Sequence, residues 1–148
     1  MKCALIALAM LAALPAHAQF RKPEDAVKYR QSVMNVMGTS FYTRLGAMAK
    51  DRVPFDAKVA QEHADVVVAM SRLPWIAFAP ETNGVGRTDA KPVLWSELPK
   101  FRELADQMQA EVLKLQAAAR TGNLDAVKAA WRAADKACVN CHDAYTNQ

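Results

Sequence analysis

The chain has 148 residues and a formal net charge of +4. That is the size of one ordinary domain, and the positive charge is diffuse, with no dense Lys/Arg block to support nucleic-acid binding. Hydrophobic residues make up 52% of it, enough for a packed core, yet no apolar run beyond the first eighteen positions is long enough for a membrane helix.

Residues 1–18 read as a cleaved secretory signal. Lys2 gives a short positive start, Cys3 to Leu14 is almost wholly apolar, and Pro15 breaks that run. Ala16-His17-Ala18 then forms an A-x-A cleavage site before Gln19. The run is too short to span a bilayer, and Cys3 precedes it, which excludes a lipoprotein anchor. The expected mature domain is 19–148. With Lys2 gone its charge falls from +4 to +3, and the expected location is the periplasm.

The mature chain reads as four helical blocks with no strand pattern, repeat or low-complexity tract. The first starts at Pro23, with Glu24 and Asp25 behind it. Val27, Arg30, Met34, Met37, Phe41, Leu45 and Met48 recur at three and four residues along one face, and Val53-Pro54 is the expected stop. The second block is capped by Asp56, carries Val59, Ala60, His63, Val67 and Met70, and stops at Pro74. Residues 73–95 are a long connection rich in Pro and Gly, a length that is often functional in a small domain. The third block begins near Ser96, with Pro99 in its first turn, and faces inward through Phe101, Leu104, Met108, Val112, Leu115 and Ala119. Thr121-Gly122-Asn123 closes it and caps the fourth. There Leu124, Val127, Trp131, Ala134, Cys138, Cys141 and Tyr145 share a stripe. The short first and third links favour antiparallel neighbours. The expected architecture is an all-α, antiparallel four-helix bundle that grips a cofactor between its helices.

That cofactor is named by Cys138-Val139-Asn140-Cys141-His142, followed by six residues. C-x-x-C-H is the spacing of covalent c-type haem attachment. Two thiols one helical turn apart can each add to a vinyl group of one porphyrin, and the adjacent His142 becomes the proximal iron ligand. Once Cys3 leaves with the signal, no cysteine stands outside the motif, so no other disulfide is possible. A zinc site needs four ligands, and only His63 remains beyond the motif in the mature chain. A thioredoxin-like pair expects a βαβ context, which is missing.

Beyond the motif, the mature chain resembles the cytochrome c′ family of periplasmic bundle cytochromes along essentially its whole length. The resemblance is carried by Phe20 with Lys22-Pro23-Glu24-Asp25, by Tyr29-Arg30-Gln31-Ser32, by Leu73-Pro74-Trp75 with Phe78, by Trp95-Ser96, and by Cys138-x-x-Cys141-His142-Asp143-Ala144-Tyr145. It implies one haem c held between helices, with Arg30 and Gln31 near its propionates and a homodimer built around the first two helices. It places Asp89 and Lys91 near the haem edge. Arg30 taken alone could be a solvated helix charge, but it lies four residues before Met34 on the apolar face, where a cation asks for an anionic partner. Trp75, Phe78 and Phe101 are candidate haem-packing aromatics or plain core, and Tyr145 closes the motif's own stripe.

The resemblance turns the function on the second axial position. In the family an apolar side chain of the first helix crowds the distal face and leaves iron five-coordinate. That position here is Met34, and the segment Arg30-Gln31-Ser32-Val33-Met34-x-x-x-Gly38 resembles the low-spin relatives, in which a thioether ligates iron. Met34 is then either a distal ligand or a packing residue, as methionines on apolar stripes are as a rule. Met/His ligation suits a one-electron carrier with a periplasmic redox partner, whereas an open site suits capture of NO or CO. No acid–base pair accompanies the iron, so an enzyme is not expected. One departure stands out: relatives carry Arg or Lys four residues after the haem histidine, and this chain has Thr146.

Overall fold

The structure, a computed structural model, describes residues 19–147, so the signal read in 1–18 lies outside the described residues. Pro23 opens α1 (Pro23–Gly38), where Glu24 and Asp25 put negative charge at the positive end of the helix dipole. The backbone stays helical to residue 49, but not uniformly. Thr39–Leu45 is a π-turn, with hydrogen bonds that span five residues instead of four, and α2 (Gly46–Ala49) completes the rod. In the π-turn the Phe41 carbonyl accepts from the Gly46 N–H and also from the Trp131 indole N–H at 3.0 Å. Gly46 lets the indole come this close: a Cβ there would stand 3.1 Å from the Trp131 ring.

The rod ends at Ala49, short of the stop expected at Val53-Pro54. Asp51 takes a left-handed φ of 54°, and the Arg52 N–H reaches back to the Ala47 carbonyl at 2.8 Å. This reversal satisfies carbonyls that the helix end leaves open. Asp56 then caps α3 (Ala57–Ser71), its Oδ1 accepting from the N–H groups of Lys58 and Val59 at 2.9 and 3.0 Å.

The long connection is built from short turns. Pro74–Ala77 and Pro80–Thr82 are single 3₁₀ turns, and α4 is the short helix Val93–Ser96. The third long helix, α5 (Leu98–Arg120), begins two residues later than expected. Pro99 has no N–H to give to Trp95, so the helix cannot run through from α4, and Glu97 breaks it with φ −117° and ψ 30°. Gly122, at φ 66°, turns the chain. Asn123 caps α6 (Leu124–Tyr145) through its Oδ1, which accepts the Ala126 N–H at 2.9 Å.

The rod 23–49, α3, α5 and α6 pack as an antiparallel four-helix bundle. The main core joins Leu45, Ala60, Ala64, Val67, Val112, Leu115, Val127 and Ala134, all nearly or fully closed to solvent. Alanines at 60, 64 and 134 let the helices approach closely. A second, aromatic cluster of Phe78, Leu94, Phe101 and Tyr145 sits where the long connection meets the end of α6. Between the two clusters the bundle is not closed. Among the described residues no helix is long and apolar enough to cross a membrane.

Candidate haem site

The opening between the clusters is a cavity of about 360 Å³, within the size range of small-molecule and cofactor sites. All four long helices, α3 through Val67 alone, and the long connection build its walls. α1 contributes Arg30, Gln31, Met34 and Met37, and the π-turn contributes Phe41 and Tyr42. α5 adds Phe101, Leu104 and Met108, and α6 adds Cys138, Cys141, His142 and Tyr145. Trp75, Phe78 and the stretch Thr88-Asp89-Ala90 close the remaining side. Apart from Lys91, which is turned to the end of α6, every site residue singled out from the sequence therefore lines the same cavity. His63 does not: it lies half-buried on α3, its Nδ1 3.4 Å from the Ser40 hydroxyl.

The α6 stripe brings both thiols to the wall. Cys138 and Cys141 are half-buried and not joined in a disulfide. Burial pushes their thiols up, to about 12 for Cys138, where Asp135 adds to the effect, and to about 11 for Cys141. Both are neutral thiols at ordinary pH. His142, on the same last turns, is exposed on its outer side. Its carbonyl accepts from the Thr146 N–H at 2.8 Å and from the Thr146 hydroxyl at 3.0 Å. That hydroxyl is thereby bound to its own helix end.

The stretch 88–91 straps this helix end to the bundle. Ala90 pairs with Thr146 as an isolated antiparallel bridge, the Lys91 N–H donates to the Tyr145 carbonyl, and the Asn147 N–H donates to the Asp89 carbonyl, each at 2.9 Å. Lys91 Nζ donates to the Asp143 carbonyl at 2.9 Å, a cation at the negative end of the α6 dipole.

Arg30 is the decisive polar residue. It is 3% exposed. Its guanidinium donates to the Ala77 carbonyl at 2.9 Å, the Thr82 hydroxyl at 3.0 Å and the Thr88 hydroxyl at 3.3 Å, and it lies 4.4 Å from the centre of the Phe78 ring. Burial holds its pKa below the usual arginine value. Among the described residues no carboxylate pairs with it. A buried cation without an anion is costly, and this one faces an apolar cavity. Beside it Gln31 donates to the Arg87 carbonyl at 2.7 Å, fixing the connection to α1.

These residues fit a haem. Two unpaired thiols one turn apart, a histidine beside them, an aromatic wall and a buried cation lacking an anion match thioethers, a proximal ligand, a porphyrin face and a propionate. They do not fit zinc, because among the described residues no three His, Cys, Asp or Glu side chains gather. Some lining residues had no functional signal in the sequence. Met37, Phe41, Met108 and Val112 read as plain core stripe there. Tyr42 lay off the stripe, and the π-turn brings it to the wall. Thr82 and Thr88 gave nothing to read, since their role depends on an arginine more than fifty residues away.

Comparison with known proteins agrees with this geometry. The cytochrome C′ family model matches residues 25–146. The chain is 44% identical over 127 residues to cytochrome c′ of Rubrivivax gelatinosus, covering 86% of this chain and 98% of that protein. The crystal structure of cytochrome c′ from that organism superimposes with a TM-score of 0.83 at 43% identity, covering 87% of this chain and all of the other. A nitric oxide complex of a cytochrome c prime variant from Alcaligenes xylosoxidans gives a TM-score of 0.80 at 39% identity over 88% of this chain and 99% of that one.

Proposed function

The chain belongs to the cytochrome c′ family, and from that premise we propose that it is a periplasmic one-electron carrier with His142 and Met34 as axial ligands. Members carry one covalently attached haem c, and so does this chain. When bound, that group supplies an iron(III)/iron(II) couple. The protein's part is to hold and shield it. Cys138 and Cys141 supply the covalent attachment, His142 the proximal nitrogen and Arg30 a fixed positive charge for a propionate. Phe78, Phe101, Trp75 and Tyr145 exclude water, and low polarity around a redox centre tunes its potential.

One observation carries the choice of carrier. Met34 reaches the cavity from α1 while His142 reaches it from α6, so a soft thioether and an imidazole enter one apolar site from different helices. The flanking α1 side chains that line it, Asn35 and Met37, offer no charged group to activate a substrate. Secretion through residues 1–18, a redox partner docking near Asp89 and His142, and a homodimer through the first two helices belong to the same reading. A single-protomer mass by light scattering would remove the dimer.

A second reading has its own support. Gly38 lines the cavity one turn beyond Met34, and a Cβ there would meet nothing within 4 Å. That room would let Met34 swing aside for a small gas, and the similar Alcaligenes protein has been solved with nitric oxide. The test is the visible spectrum of reduced holoprotein before and after CO. Sharp, split α and β bands indifferent to CO mean six-coordinate low-spin iron, and Met34→Ala should abolish them. A broad single band that changes at once with CO means an open site, and gas capture replaces electron transfer.

A further inference from the structure

Tyr145 is 1% exposed and lines the cavity. Its phenolic O–H donates to Glu97 Oε2 at 2.8 Å. The three tryptophans satisfy their indole N–H groups differently, each on a backbone carbonyl: Trp75 on Ser71, Trp95 on Ala79 and Trp131 on Phe41. A carbonyl accepts a hydrogen bond but is too weak a base to keep the proton. A carboxylate can keep it. Glu97 also reaches outward: its side chain is 42% exposed, and the same oxygen lies 3.7 Å from Lys100 Nζ. The Tyr145 ring meets Phe101 edge-on at 5.5 Å, and Phe101 meets Trp75 at 5.6 Å. A plain structural role would need only a partner for a buried hydroxyl. It would not need that partner to be a base with an outlet to water.

We infer that Tyr145 is a redox-active side chain that gives one electron to an oxidant in the haem cavity and its proton to Glu97. The inference rests on the haem reading above. In the step the Tyr145 O–H bond breaks and an O–H bond forms on Glu97 Oε2. The electron leaves to the oxidant, and a neutral phenoxyl radical remains. The oxidant is of the peroxide class. Tyr145 in each of two protein molecules gives one electron, and each proton passes from Glu97 to solvent water; two electrons and two protons from water convert one hydrogen peroxide into two waters. Without Glu97 the oxidised ring would be a cation in an apolar wall, which is costly. Burial, with the bond to Glu97, pushes the phenol up to about 12, so the group oxidised at neutral pH is the protonated one and an acceptor is required. The role is protective: the oxidising equivalent ends on Tyr145 and does not attack the porphyrin.

The test is freeze-quench electron paramagnetic resonance of ferric holoprotein mixed with hydrogen peroxide, with haem content read from the absorption of the same sample. The chain has three tyrosines. The expected result is a tyrosyl signal that survives in the Tyr29→Phe/Tyr42→Phe double variant, disappears in Tyr145→Phe and falls at least tenfold in Glu97→Gln. A signal that persists in Tyr145→Phe overturns the inference. So does one that vanishes in the double variant, which would place the radical on Tyr29 or Tyr42. Equal yield in Glu97→Gln reduces the hydrogen bond to a structural one and also overturns it. A sample without bound haem refutes the haem reading instead, and its absorption spectrum tells the two failures apart.

Discussion

Arg30 shows what one residue does when its charge is closed off from water. Its three hydrogen bonds tie α1 to Ala77, Thr82 and Thr88, and its stem and plane rest against Phe78. Arg30→Met keeps the length and apolar stem but strands the Ala77 carbonyl. Hydrogen bonds from a charged donor are worth about 1.5–3 kcal/mol each, and a stranded buried acceptor adds about 1–3. Removing the buried charge offsets part of this sum, so the expected loss is about 3 kcal/mol in urea unfolding of holoprotein, and an unchanged midpoint would contradict it. Tyr145 gives a pH-dependent counterpart. Its phenol is raised in the folded protein, by burial first and then by Glu97, to about 12, while the unfolded phenol titrates near 10. The unfolded state therefore loses its proton first. The stabilisation is complete below about pH 10 and is lost as pH rises from there through about 12. Tyr145→Phe should remove that part of the alkaline loss, seen as a flatter unfolding free energy across the window. Arg30 was legible as a cation needing an anion because it falls on an apolar stripe. Its hydroxyl and carbonyl partners were not, because each lies in an irregular loop far along the chain.

At the scale of elements, periodicity located all four long helices but not the π-turn. Phe41, Leu45 and Met48 keep three- and four-residue spacing whether the backbone bonds span four residues or five, so the stripe is blind to the change. What holds the wider turn is Trp131, ninety positions away, giving its N–H to the Phe41 carbonyl. Gly46 is the sequence trace of that contact, readable only once Trp131 is known to lie over it. The usual rule makes Ala better than Gly within a helix by about 1 kcal/mol. Here the sign should reverse. A Cβ at 46 would lie 3.1 Å from the Trp131 ring and 3.3 Å from the Phe41 carbonyl, and Trp131 is held between Phe41, at 5.3 Å, and Lys50, at 4.6 Å. Overpacking of this kind costs about 1–3 kcal/mol. Gly46→Ala should lower the melting temperature of the holoprotein. A variant as stable as the parent would mean that the indole moves freely and that the π-turn has no lock.

For the whole molecule, the bundle encloses the cavity that its cofactor would fill, and it is expected to be incomplete without that group. The sequence named the attachment site, because two thiols and a histidine are contiguous there. It did not reveal the cavity's full outline, because walls from α1, α5, α6 and the long connection meet only in three dimensions. The aromatic cluster of Phe78, Leu94, Phe101 and Tyr145 touches the main core only in part, and the cavity separates the two. Were it closed and dry, an opening of about 360 Å³ would cost at most on the order of 9 kcal/mol at about 24 cal/mol per Å³. The whole stability of such a domain is about 5–15 kcal/mol. Admitting water lowers that cost but leaves Arg30 without an anion and wets an aromatic wall. The α6 end then depends on the strap at 88–91, which is itself fastened through Arg30 and Gln31. A Cys138→Ser/Cys141→Ser variant, which cannot form thioethers, purified free of haem, is therefore expected to be a loosely packed helical state. Far-ultraviolet circular dichroism should keep most of the helix signal, because the core of Leu45, Leu115, Ala119 and Val127 lies away from the cavity. Near-ultraviolet signals from Trp75 and Trp95 should collapse, an apolar dye should bind, and thermal unfolding should lose its sharpness. A sharp transition with native near-ultraviolet structure would show that the four helices close by themselves, with the haem a guest in a finished fold.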